Sequence, residues 1–170
     1  VFRVAVAARH LAPFLVAGLP DPDGAAEALI RSLRICPDQE ILLPILEVVR
    51  SRRAKVAFFC ENGDVKFMRD IFSHVNARFP TKMYRGTSDE QMREMLQWCD
   101  VAWFEWCTEQ VVLASKMPRS CRIIVRLHRY EAFRSGPEEG AWRNVDALVN
   151  VVNGSVLAHH VSRVPHRQNT

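Results

Sequence analysis

Residues 120–131, Ser-Cys-Arg-Ile-Ile-Val-Arg-Leu-His-Arg-Tyr-Glu, decide the fold class of this 170-residue chain. An apolar, β-branched run from Ile123 to Leu127 stops abruptly at His128, Tyr130 and Glu131. Such a run suits a buried strand. Polar, titratable residues at the carboxyl end of a buried strand stand where open α/β sheets place their ligands. The same handover occurs at Phe58-Phe59-Cys60-Glu61-Asn62-Gly63 and at Trp103-Phe104-Glu105-Trp106. Three strands ending in polar groups point to one shared cleft.

Working outward from these runs, the chain from residue 54 alternates short apolar segments with amphipathic ones. Strands are predicted at Lys55–Cys60, Thr81–Tyr84, Val101–Glu105, Arg122–Leu127 and Ala147–Val152. Helices are predicted between them. In 64–79 the residues Val65, Met68, Ile71, Phe72, Val75 and Phe79 form one stripe. Ser88–Trp98 opens with Ser88 and, three residues on, Gln91, a capping-box pattern. Glu109–Lys116 and Ser155–Arg163 are further helices, and 140–144 is a short turn. Continuous apolar strands alternating with helices predict an α/β domain. It is a Rossmann-like parallel sheet of about five strands with helices on both faces.

Residues 1–53 read differently, as an N-terminal α-helical extension ahead of the domain at 54–170. Pro20-Asp21-Pro22-Asp23-Gly24 is a turn and helix start. Ala26, Leu29, Ile30 and Leu33 then share one face. Pro37-Asp38 breaks this helix, and a second follows with Leu42, Ile45, Leu46 and Val49 inward. A helix, a turn and a second helix resemble a fragment of a tetratricopeptide repeat, a unit that needs stacked neighbours. A plain helical hairpin fits the same residues.

Composition narrows the class. With 48% hydrophobic and 25% charged residues the chain reads as soluble and globular. The net charge of +4 is mild and its arginines are dispersed, so a solvated surface is preferred over nucleic-acid binding. Five cysteines, with no Cys-x-x-Cys pair, read as mostly buried free thiols. They favour a reducing, cytoplasmic compartment. The apolar opening is interrupted by Arg3, Arg9, His10 and Pro13, so no transmembrane span is expected. Nor is a signal peptide, since no clear cleavage motif follows.

The loops exclude several chemistries. Glu61-Asn62-Gly63 after the first strand carries one glycine, so dinucleotide binding through Gly-x-Gly-x-x-Gly loses its support. No P-loop sequence occurs. A phosphoreceiver needs acids and a lysine where this chain has Glu61, Glu105 and Asn153. Gly63 either permits close approach of a ligand or serves a tight turn. His128 is read as a general base, a hydrogen-bond donor to a substrate hydroxyl, or a satisfied structural histidine, and its strand-end position favours function. Glu105 among aromatic rings either binds sugar hydroxyls or pairs with Arg126. Trp103 and Trp106 are core residues or flat faces for a sugar ring. Asp21-Pro22-Asp23 and His159-His160 with His166 are not read as metal sites. No metal and no cofactor is expected.

Taken together, Lys55–Glu61, Asp100–Trp106, Ile123–Glu131 and Val145–Asn150 resemble, in order and spacing, the N-terminal half of GT-B glycosyltransferases related to glycosyltransferase family four. The resemblance spans about two-thirds of the chain, residues 54–164. It implies the acceptor-side half of a retaining nucleotide-sugar-dependent transferase in glycan or polysaccharide synthesis. His128 falls on the family's cleft histidine, which approaches the donor sugar. Glu61, Asn62 and Gly63 fall on its first loop, normally richer in glycine. Glu105, Arg126, Tyr130 and Glu131 are expected to line the cleft. The nucleotide-sugar donor would be held by a C-terminal domain that this sequence does not include, so the fragment alone is expected to be inactive. The acceptor would be a glycan, a lipid-linked glycan or a protein, and the helical extension is expected to offer protein contacts. The alternative is a non-enzymatic module, a receiver-like sheet joined to a tetratricopeptide-like adaptor.

Overall fold

A computed structural model describes residues 21–60, 65–128, 131 and 140–151. These fall into two compact units, one of 21–54 with 71–80 and one of the remainder. The predicted helix at Ser155–Arg163 lies outside the described residues, as does Tyr130.

In the first unit, α1 (Pro22–Ile35) starts as its sequence dictates. The Asp21 carboxylate accepts from the N–H groups of Asp23 and Gly24 at 3.0 and 2.9 Å, and Pro22 occupies the first turn. Position 24 must be glycine for this cap, because a Cβ there would stand 2.4 Å from Asp21 Oδ2. Helix α2 (Leu42–Ser51) packs back on α1. Ala26, Leu29, Leu42 and Val49 are buried between them, with Leu33 and Ile45 at the margin. The Gln39 side-chain amide closes the turn, within 2.9–3.3 Å of Cys36 O, Ser32 Oγ and Ser32 O.

Residues 71–80 group with this hairpin, which a division at 53/54 does not anticipate. Three arginines hold them there. Arg50 donates to the carbonyls of Asn76 and Phe79 at 2.6 and 3.1 Å. Arg53 donates to Asp23 at 2.6 Å and to Arg78 O at 2.9 Å, with its guanidinium 3.9 Å over the Phe79 ring. Arg78 grips both carboxylate oxygens of Glu27, at 2.7 and 3.2 Å, the two-point geometry that suits a guanidinium.

The second unit is a five-stranded, all-parallel sheet of order β2-β1-β3-β4-β5. Its strands are β1 (Val56–Phe59), β2 (Thr81–Met83), β3 (Val101–Phe104), β4 (Arg122–Leu127) and β5 (Ala147–Asn150). The expected Rossmann-like α/β class is therefore the observed one, and every predicted strand is present, one or two residues shorter where it differs. Helix α3 (Arg69–Asn76) follows β1, α4 (Asp89–Trp98) follows β2 and α5 (Glu109–Lys116) follows β3. The stripe expected over 64–79 is helical only in α3; a turn closed by Met68 N–H on Val65 O precedes it. A 3-10 turn (Trp142–Asn144) leads into β5.

The pleat sorts the strand residues by parity. Ala57, Phe59, Ala102, Phe104, Ile123, Val125 and Leu127 share a core with Met92 and Leu96 of α4 and Val111 and Ala114 of α5. The rings of Phe59 and Phe104 stack there at 4.3 Å. Residues of the other parity, Phe58, Trp103, Ile124 and Arg126, lie on the opposite face in register. Because β1 is flanked by β2 and β3, the direction of winding reverses between β1 and β3. The carboxyl ends of the strands at such a reversal form a crevice.

Candidate functional site

The register places the site. Phe104 pairs with Val125, so the next step along both chains sets Glu105 beside Arg126. Period-two alternation puts Trp103 and Glu105 on one face, and Arg126 and His128 on the same one. All four side chains meet at the carboxyl edge of β3 and β4. Arg126 Nη1 donates to Glu105 Oε1 at 2.7 Å, and His128 Nε2 lies 3.0 Å from the same oxygen. Trp103 Nε1 donates to Glu105 Oε2 at 3.1 Å. The Glu105 backbone N–H extends the ladder onto Phe59 O at 3.0 Å.

Glu105 is fully buried, at 0% exposure. Both of its oxygens are engaged, so its part is to hold Arg126 and His128. Of the two readings of this carboxylate, the structure displays the arginine pair. A carboxylate accepts and does not donate, so His128 Nε2 carries the proton in this contact. Nδ1 has no hydrogen-bond partner among the described residues.

An aromatic wall flanks the imidazole. Trp106 stacks on His128 with ring centroids 4.0 Å apart and planes 25° off parallel. Phe67, from the β1–α3 connection, meets both Trp106 and His128 edge-on at 5.7 Å. The residue is 59% exposed, and its carbonyl accepts from Arg126 Nη1 at 3.0 Å. Phe67 was not among the residues singled out from sequence. An aromatic residue just past a strand-end loop was the signal available.

Glu131 sits beneath the site. It is buried, and its carboxylate accepts the N–H of Cys107 at 2.8 Å and the N–H of His128 at 2.9 Å. Its own N–H bonds His128 O at 3.1 Å. One acid thus ties the segment after β3 to the segment after β4. Burial, and then the neighbouring Glu131 carboxylate, push the Cys107 thiol up to about 12.

The structure therefore brings together Glu105, Arg126, His128 and Glu131 of the residues expected at the cleft. Glu61, Asn62, Gly63 and Tyr130 lie outside the described residues. Among the described residues no group of three or more His, Cys, Asp or Glu side chains is placed to hold a metal, and no helix is long and apolar enough to cross a membrane.

Fold and site together define a parallel α/β domain with a buried carboxylate orienting an arginine and a histidine at the crevice. Comparison with protein-family models, with curated proteins and with solved structures returns no match to this chain.

Proposed function

We propose that this chain is the acceptor-side, Rossmann-like half of a retaining, nucleotide-sugar-dependent glycosyltransferase of the cytoplasm, engaged in glycan or polysaccharide synthesis. The observation that carries the reading is the oriented His128. Its Nε2 is committed to a buried carboxylate and its ring leans on Trp106; in the neutral tautomer its Nδ1 would accept from a hydroxyl. A saccharide offers hydroxyl donors and an apolar ring face, and this pairing of an acceptor with aromatic walls suits both. The ordered likeness of four strand ends to GT-B enzymes supports the same reading. Arg126 is held beside the crevice by its pair with Glu105, while the nucleotide diphosphate would be held by a second domain.

The test is binding by this chain of a panel of oligosaccharides and nucleoside-diphosphate sugars, followed by ligand-observed NMR. Saccharide binding is expected, and His128→Ala should weaken it about tenfold or more, the worth of one good hydrogen bond, at a temperature where the variant, destabilised by the donor lost to Glu105, is still folded. Sugar transfer should require the donor-binding domain. Transfer by this chain unaided, or binding indifferent to His128→Ala, refutes the reading. A second reading, a non-enzymatic interaction module, draws on the helical hairpin, where Ile41 and Leu43 are 55% and 51% exposed. It requires that no saccharide in the panel binds.

A further inference from the structure

The helical unit carries a cavity of about 480 Å³, lined by Arg31, Arg34 and Arg78 with Glu27, Ala28 and Ile30. Glu27, Arg31 and Arg34 come from one side of α1, because they are spaced i, i+4 and i+7. Glu27 stands four residues before Arg31, the favourable order for an ion pair along a helix. That pair is not made. Arg78 holds both Glu27 oxygens instead, at 2.7 and 3.2 Å, and Arg53 Nη1 lies 4.0 Å from Oε1. Arg31 and Arg34 are exposed and have no hydrogen-bond or ion-pair partner among the described residues. Arg78 is 9% exposed, and its third bond goes to His74 O at 3.1 Å. Two of its five N–H groups therefore have no partner among the described residues.

We propose that this cavity binds a small molecule carrying a phosphate monoester. Three guanidiniums against one carboxylate leave the lining with two positive charges in excess. A carboxylate ligand would neutralise one of them. A phosphate monoester, a dianion above its second ionisation at about pH 6, neutralises both and offers several strong acceptor oxygens. Guanidinium forks match that group in geometry as well as charge. Arg78 is the fixed donor, held by Glu27 and His74 O, and Arg31 and Arg34 supply the rest.

The cavity's size and lining select the remainder of the ligand. The volume lies within the range of small-molecule sites, roughly 300–1,000 Å³, so an organic body is accommodated beside the phosphoryl group. Ala28 and Ile30 give that body an apolar margin, and no aromatic ring lines the cavity for a base to stack on. The ligand class is a compact, non-aromatic phosphomonoester, such as a phosphorylated polyol or sugar. Every lining residue belongs to the helical unit, so the site neither uses nor requires His128.

The experiment is isothermal titration calorimetry of the whole chain with glycerol 3-phosphate and glucose 6-phosphate, with glycerol, AMP and a phosphoserine peptide as comparators. Saturable binding of a phosphomonoester is expected, with none for glycerol and none tighter for AMP than for glycerol 3-phosphate. Arg31→Gln and Arg34→Gln replace exposed residues and should leave the fold intact. Each should weaken binding about tenfold, the worth of one charge-assisted hydrogen bond. Binding should also weaken as pH falls from about 7.5 to about 5, because the ligand loses its second charge. No binding at ligand concentrations up to about 10 mM, or binding unchanged when both arginines are replaced, would overturn the proposal. So would AMP or the phosphoserine peptide binding more tightly than both small phosphates.

Discussion

Glu105 and Arg126 should behave as a unit whose parts are costly to remove singly and cheap to remove together. Two unit charges 2.7 Å apart, at an effective dielectric of about 20, attract by about 6 kcal/mol. Desolvation offsets most of that, several kcal/mol for each ion. Arg126→Met leaves the carboxylate of a residue at 0% exposure without its cation, and Glu105→Leu leaves the guanidinium without its carboxylate. Each change should cost about 3–5 kcal/mol, or roughly 6–20 °C in melting temperature for a chain of this size. The double substitution removes both charges and keeps apolar volume. Its remaining cost is the Trp103 indole N–H and the His128 Nε2–H deprived of the Glu105 oxygens, about 1–3 kcal/mol for each donor, a cost that Glu105→Leu alone already carries and that cancels from the coupling. The coupling energy should therefore be about 3 kcal/mol or more, at the upper end for contacting residues. Urea unfolding followed by far-UV circular dichroism and tryptophan fluorescence measures all four proteins, with equal m-values as the check that the comparison is valid. Single variants within about 0.5 kcal/mol of the parent, or a double variant equal to the sum of the singles, would refute the argument that Glu105 is an electrostatic anchor.

Two further outcomes follow from local chemistry. The Cys107 thiol is raised from its ordinary 9.0 to about 12, so the unfolded chain ionises it first as pH rises. Its contribution to stability is complete below about pH 9 and is lost as pH climbs through about 12. Between those limits the parent should lose about 1.4 kcal/mol per pH unit relative to Cys107→Ala, seen by urea unfolding from pH 8 upward. Parallel curves would contradict it. Glu131→Gln should bring the thiol only part of the way back, since burial is the larger cause. At α4, Ser88 Oγ accepts from Gln91 N–H at 3.2 Å while Gln91 Oε1 accepts from Ser88 N–H at 3.3 Å. Ser88→Ala should cost about 1 kcal/mol, measured as a melting shift of about 2–4 °C, and an unshifted transition would mean the cap is frayed in solution.

What could be read from the residues was local, and the reason is physical. The β-branched run Ile123–Leu127 lies within β4, Glu109–Lys116 coincides with α5, and the Ser88/Gln91 box caps α4. The helix and its cap depend on interactions spanning four residues or fewer, and the strand shows itself by its short apolar, β-branched run, so sequence spacing carries them. The helix expected across 64–79 shows where this fails, since apolar spacing continues through residues that make a turn at 65–68 and end at Asn76. The arginine contacts that group 71–80 with the hairpin join residues far apart in sequence, and no periodicity encodes them.

The site shows the same division. Alternation within each strand makes Trp103 and Glu105, or Arg126 and His128, share a face, and that much was visible. Which member of one pair stands beside which member of the other depends on register, and a shift of one residue would turn Glu105 away from Arg126 altogether. The structure settles the register through Phe104 and Val125 and thereby makes an ion pair of two residues that sequence could only place in one neighbourhood. Glu131 is less legible still. Its burial beneath the backbone N–H groups of Cys107 and His128 has no sequence signature, because a carboxylate that caps two loops looks like any surface acid until the loops converge. It follows that His128 is held from two sides by different means, its ring by Glu105 and its backbone by Glu131. A histidine that merely filled a core would require neither carboxylate to be buried, and the burial of one acid against its ring and another against its backbone is what supports the proposal that this strand end holds a ligand.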